Sequence, residues 1–152
     1  MARIERDSIH AAPASLEGDE KLVASFPPDL NTYWKSNAIL AVIAAAGAGI
    51  VLVALGNAYP WTGPLGALLA MAARAAYLKS EVFTEDWRMT SRRLLGPGGR
   101  IVPLSQIKEV RRFLDAAQVV TRAGDKHLIK YQADSAATVA AILKARDAQR
   151  PA

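Results

Sequence analysis

The chain contains no cysteine. Disulfide scaffolds, thiolate zinc sites, iron–sulfur clusters and cysteine nucleophiles are thereby excluded. Histidine is scarce: His10 and His127 are the only two, which leaves little for a histidine metal site. Charge is missing from the middle of the chain. Residues 38–79 carry only Arg74 and Lys79. The first 22 residues hold no apolar run like the core of a signal peptide, so no cleavage is expected.

What is present is 152 residues, 51% of them hydrophobic. That length suits one ordinary domain, or a membrane anchor with one small domain. The mean hydropathy of +0.10 is unremarkable but averages unlike sections. Residues 1–37 have four basic and six acidic side chains. Residues 80–152 have thirteen basic and eight acidic ones, and the whole chain has a net charge of +5. An acidic tail, an uncharged belt and a basic C-terminal part imply three different surroundings.

Residues 38–55, AILAVIAAAGAGIVLVAL, are 18 consecutive apolar residues. As a helix they cover about 27 Å, close to the roughly 30 Å hydrocarbon core of a bilayer. A second run, residues 61–78, is interrupted by Arg74 near its end, where a long side chain can reach the headgroups. Between the runs, Gly56-Asn57-Ala58-Tyr59-Pro60-Trp61 supplies a tight turn. Residues 37–79 therefore predict a transmembrane helical hairpin, with helices at about 38–56 and 61–79. Tyr59 and Trp61 are expected interfacial anchors at the turn. Tyr33, Trp34, Lys35, Arg74, Tyr77 and Lys79 are the anchors at the open end. Basic residues flank only the open end, which places both termini in the cytoplasm. The small pairs Ala45 and Gly49, and Gly66 and Ala70, are spaced four apart. Such pairs let helices approach closely in lipid, either each other or a partner's helices.

Residues 1–36 read as a cytoplasmic N-terminal tail. Its apolar stretch Leu22–Pro28 could add a strand or packing layer to the C-terminal domain. After Lys79 the period changes. Residues 81–89, EVFTEDWRM, alternate as a strand, with Glu81, Phe83, Glu85, Trp87 and Met89 on one face. Residues 91–95 make a short strand, Gly96–Gly99 a turn, and residues 100–104 the returning strand. Ile107–Leu114, Gln118–Arg122 and His127–Gln132 come next as strands. Asp134 or Ser135 then caps a helix to about Gln149, with Ala136, Val139, Ala140 and Leu143 as its buried stripe.

No catalytic constellation stands out. Ser135, His127 and Asp125 have no triad spacing. Glu85 and Asp86 are neighbours on a strand and face opposite sides. Glu81 and Glu85 share a face, but nothing else converges there. No enzyme activity, cofactor or metal is expected. The basic cluster is the candidate site: Arg88, Arg92, Arg93, Lys108, Arg111 and Arg112. It would contact anionic headgroups or an acidic partner surface. Nucleic acid is not an expected partner, because no aromatic platform interleaves the arginines.

Residues Phe83–Leu95, FTEDWRMTSRRLL, resemble the "V-T-x-x-R-L" opening of bacterial pleckstrin-homology-like domains. Residues Ile101–Val110, IVPLSQIKEV, resemble that family's "I-P-L-x-x-I-x-x-V". Gly18–Val23, GDEKLV, occupies the place of its "G-E-x-x-L" segment before the membrane helices. The resemblance covers roughly residues 17–147. Residues 111–118, RRFLDAAQ, depart from it by lacking glycines between two strands. It implies an α+β membrane protein: a two-helix transmembrane hairpin, then a small antiparallel pleckstrin-homology-like barrel over residues 80–152, capped by a C-terminal helix. It also implies a non-enzymatic accessory or assembly subunit of a larger membrane complex, at the bacterial cytoplasmic membrane. The family includes assembly proteins of photosynthetic complexes. A stand-alone sensor of the anionic membrane surface and a photosynthetic-complex assembly factor are the competing expectations. Partners would be the lipid bilayer and other integral membrane subunits.

Overall fold

A computed structural model describes residues 15–84 and 86–151. Residues 1–14, with His10, and Glu85 and Ala152 lie outside the described residues. The chain is α+β and divides into two compact units. One is a helical pair, residues 30–82. The other combines residues up to Asp29 with residues from Phe83 onward.

The helical unit consists of α1 (Leu30–Ala54) and α2, which begins at Thr62 and continues to Thr84 beyond the unit's boundary. Both helices overrun the expected limits. α1 begins seven residues before position 37, so Leu30–Ser36 are helical rather than part of a tail. α2 runs to Thr84, so Glu81–Thr84 are helical, not the start of a strand. These four residues are too few to tell a period of 2 from one of 3.6. At the turn, Gly56 takes φ +67, the left-handed conformation that closes a helix C-terminus. The Asn57 Oδ1 accepts from the Tyr59 N–H at 2.8 Å, and the Thr62 hydroxyl donates to the Tyr59 carbonyl at 2.8 Å.

The two helices touch through small residues. A Cβ built on Gly63 would stand 2.7 Å from Leu52 Cδ1 and 3.1 Å from the Ala48 carbonyl oxygen. Gly49 faces the Pro64 ring in the same way. At the other end the Tyr33 hydroxyl donates to the Ala75 carbonyl at 2.6 Å.

The β unit has a four-stranded antiparallel sheet, β1 (Leu22–Phe26), β2 (Trp87–Thr90), β3 (Arg93–Leu95) and β4 (Ile101–Pro103), in that spatial order. A separate three-stranded sheet holds β5 (Ile107–Phe113), β6 (Ala116–Thr121) and β7 (Lys126–Ile129). The sheets do not close into a barrel, which corrects that expectation. β1 pairs with β2 with Phe26 opposite Trp87, so the strand-forming tail belongs to the domain. The domain therefore does not begin at residue 80: residues 80–152 alone would leave β2 without its outer neighbour. Pro103 lies on β4, a sheet edge, where its missing N–H disturbs no ladder.

Inward-facing Phe26, Trp87, Met89, Leu94, Val102, Ile107, Val119 and Ile129 form the core with Ile142. Ile107 and Val110 both point inward although three residues apart, because the register slips between Ile107 and Glu109. Gly96 is obligatory for packing: a Cβ there would lie 2.6 Å from the Trp87 ring. The helix α3 (Ser135–Ala148) is capped by Asp134, whose carboxylate accepts from the Ala137 N–H at 3.0 Å. Its buried residues are Ser135, Thr138 and Ile142, with Val139 and Leu143 partly covered. Ala136 and Ala140, expected in the stripe, are exposed.

Candidate functional site

The six basic residues of the expected site do not act alike. Arg88 is half-buried on β2, opposite Ser25 and Leu95 on the flanking strands. Arg92 pairs with Asp19 at 3.0 Å, both exposed. Arg93 is largely covered and is absorbed by the acidic segment that precedes β1. Its Nε donates to Glu20 Oε1 at 2.9 Å and its Nη2 to Glu20 Oε2 at 3.0 Å. Glu17 adds a second carboxylate at 3.6 Å, and the Ser15 carbonyl accepts at 3.0 Å. Arg93 is thus committed within the chain rather than an open contact, whereas Arg92 stays exposed in a surface pair. Lys108, Arg111 and Arg112 are exposed on β5. Arg111 pairs with Glu109, and the Lys108 carbonyl accepts from Arg146 at 2.9 Å.

Glu20 is the residue that sequence reading undervalued. Only 6% of it is exposed. Besides the two Arg93 bonds it accepts from the Thr90 hydroxyl and from the Glu17 N–H at 3.1 Å. A carboxylate with this many donors favours its charged form. Chiefly through Arg93, then Thr90 and the Glu17 amide, Glu20 is lowered from 4.5 to about 2, against the opposing effect of burial. Arg93 is raised in return by its hydrogen bond to Glu20. The depressed folded-state pKa means that the unfolded chain takes up a proton first as pH falls. The contribution of Glu20 to stability is full above pH 4.5 and lost as pH falls towards about 2. Unfolding midpoints at pH 7, 4.5, 3 and 2 should fall steeply through that window. In Glu20→Gln the fall should be shallower, and an equal slope would refute the assignment.

The residues expected as interfacial anchors sort by exposure. Trp34, Tyr59, Trp61 and Tyr77 are exposed, at 42%, 64%, 62% and 75%. Lys35, Arg74 and Lys79 are exposed too. Lys79 Nζ stands 5.9 Å from the Trp34 ring centroid, so these two anchors meet at the open end of the pair. Tyr33 is corrected: it is 1% exposed and ties α1 to α2 rather than facing outward. Of the small residues, Ala45 is buried and Gly49 is packed on Pro64. Gly66 and Ala70 do not pack the helices together. Both are exposed, and a Cβ on Gly66 would meet nothing within 4 Å. Gly63, not Gly66, makes the close approach.

Two features of the β unit had no clear signature in sequence. One is a cleft of about 440 Å³ lined by Trp87, Arg100, Asp125, Lys126, His127 and Lys130 among others. The turn after β3 and the strand β7 bring these basic groups together, and the Trp87 and His127 rings meet edge to face at 6.0 Å. The other is the tip of the β5–β6 hairpin, where Phe113 and Leu114 are exposed beside Arg111 and Arg112.

Among the described residues one helix, α1, is long and apolar enough to cross a membrane: it has 25 residues, and its most apolar 18-residue window has mean hydropathy 2.3 and is 11% buried. α2 is less apolar, because Arg74, Lys79 and Glu81 interrupt it. Family models, curated proteins and solved structures give no match to the chain.

Proposed function

We propose that the chain is a non-enzymatic, membrane-anchored interaction protein, an accessory or assembly subunit of a larger bacterial membrane complex. In this reading α1 and α2 form a hairpin that crosses the cytoplasmic membrane twice, with both termini cytoplasmic. The β unit is then a pleckstrin-homology-like domain held at the cytoplasmic surface. The observation that carries it is the apolar surface of α1, where Val42, Ile43, Ile50 and Val53 are all more than 60% exposed. Surface of that size in water would drive aggregation, and in lipid it is at rest. The open face at Gly66 and Ala70 supports docking of a partner's helix. The two-sheet unit with its single covering helix supports the domain assignment.

The basic cleft and the β5 arginines favour a second reading, a stand-alone sensor of anionic membrane surface. Purification in mild detergent with mass analysis separates the two. Stoichiometric recovery of large membrane subunits is the expected result. A lone monomer or homo-oligomer would overturn the subunit reading and favour the sensor.

A further inference from the structure

We infer that the β5–β6 hairpin tip, Arg111-Arg112-Phe113-Leu114, is a second membrane contact that enters the interfacial layer of an anionic bilayer; this rests on α1 being a membrane span. Leu114 is 78% exposed, more than any other large apolar side chain among the described residues, and Phe113 is 55% exposed. Leu114 also holds φ +55. Glycine or asparagine adopts that conformation readily, and a leucine there is disfavoured in the folded chain. A strained, exposed apolar residue at a turn that polar residues would suit better has a use outside the fold.

The tip is held rather than loose. The Ser135 hydroxyl donates to the Leu114 carbonyl at 3.1 Å, and the Gln132 N–H donates to the Asp115 carbonyl at 2.7 Å. The Gln132 side-chain amide donates to the Pro27 carbonyl at 3.4 Å, and the Asp29 N–H to the Tyr131 carbonyl at 2.7 Å. These bonds place the tip at the end of the β unit from which the chain departs into α1, which begins at Leu30. Residues 27–29 span at most about 10 Å. The apolar run of α1 begins at residue 38, about 12 Å of helix beyond Leu30. If Tyr33, Trp34 and Lys35 lie at the headgroups, the point where the chain leaves the β unit lies close to that interfacial layer, and the tip lies near that point.

The charge fits that surface. Arg112 is exposed and makes no ion pair among the described residues, and Arg111 is exposed beside Glu109. Arginines bind lipid phosphate while neighbouring apolar side chains enter the acyl boundary. A protein groove would suit Phe113 and Leu114 as well, but the two flanking arginines and the tip's place near residues 27–29, where the chain leaves the β unit, favour lipid.

Because the chain has no cysteine, single environment-sensitive probes can be attached without background. Full-length Leu114→Cys, Phe113→Cys, Ala123→Cys and Ile43→Cys would be reconstituted in phosphatidylcholine–phosphatidylglycerol vesicles. Lipids spin-labelled near the headgroup would serve as quenchers at 113, 114 and 123, and lipids labelled in mid-chain at 43. The probes at 114 and 113 should be blue-shifted and quenched several-fold more than the one at 123, in the turn at the far end of β6. Their quenching should fall to the level of 123 in phosphatidylcholine alone, and on changing Arg111 and Arg112 to Gln. Water-like signals at 113 and 114 with lipid quenching at 43 would overturn the inference and leave the span intact. A water-like signal at 43 as well would overturn both. Blue-shifted but unquenched probes at the tip would mean a protein surface covers it, and undiminished quenching in phosphatidylcholine would remove the anionic lipid from the account.

Discussion

Ile142→Asp should unfold the β unit, and Ile142→Ala should destabilise it by about 2–5 kcal/mol. Ile142 is wholly buried, in one cluster with Ile107, Val110, Val119 and Ile129. α3 lies against β5 and β6, so Ile142 is where the helix is joined to the three-stranded sheet. Truncation to Ala leaves a cavity whose walls belong to β-strands and cannot collapse freely. An aspartate there would be a buried charge without a partner. A domain of this size has total stability of about 5–15 kcal/mol, so the charged variant should exceed the margin. The controls are Ala136→Asp and Ala140→Asp, on the exposed side of the same helix. Urea titration of the full chain in detergent, followed by the far-ultraviolet signal of the strands, should show both controls near the parent. Equal damage from Ala140→Asp would mean that α3 presents a different face.

That pair of outcomes also measures what the sequence could reveal. The existence of α3 was legible in the Asp134 cap and in the apolar spacing, but its face was not. Alanine occupies five positions between Ala136 and Ala145, so period alone could not separate a stripe of Ala136 and Ala140 from one of Thr138 and Ile142. α1 was legible because 18 apolar residues without charge admit few alternatives. Its true start at Leu30 was not, because Tyr33 and Asn37 are buried by bonds within the helical pair that no local pattern announces. The turn at Gly96–Gly99 and the hairpin at Gly124 were announced by glycine. The hairpin between β5 and β6 was expected just past Leu114, but its turn at Leu114 itself was hidden, because the residue with positive φ is a leucine. The basic cluster was read from composition, which counts charges but not their partners. Arg93 and Glu20 stand 73 residues apart with both long helices between them, so their bond appears only when β1 is laid beside β2. The cleft likewise draws Trp87, Arg100 and Lys126 from three separate stretches.

Gly63→Leu should split the helical pair, whereas Gly66→Leu should leave it intact. The two glycines are three positions apart, yet their surroundings are opposite. At Gly63 even a Cβ would press on Leu52 Cδ1 at 2.7 Å, and on the backbone of Ala48, with its carbonyl oxygen at 3.1 Å. The Leu52 methyl can turn aside, but the Ala48 backbone cannot, so α1 and α2 must separate. Overpacking of this kind costs roughly 1–3 kcal/mol. Lipid supplies no hydrophobic drive to restore the contact, since its tails are as apolar as the displaced side chains. The Tyr33 to Ala75 hydrogen bond and the Lys79–Trp34 contact would remain at the other end. At Gly66 a Cβ meets nothing, and leucine is a better helix former than glycine, by somewhat less than the roughly 0.8–1 kcal/mol between glycine and alanine. Spin labels on Lys35→Cys and Lys79→Cys, both exposed near the open end, would report the separation. A narrow distance distribution is expected for the parent and for Gly66→Leu, and a broad one for Gly63→Leu. The same variants bear on the proposed partner. Gly66→Leu fills a face that is empty within this chain, so it should release co-purifying subunits while the helical pair persists. Retention of those subunits by Gly66→Leu would remove that face from the interface, and a narrow distribution for Gly63→Leu would refute the close packing itself.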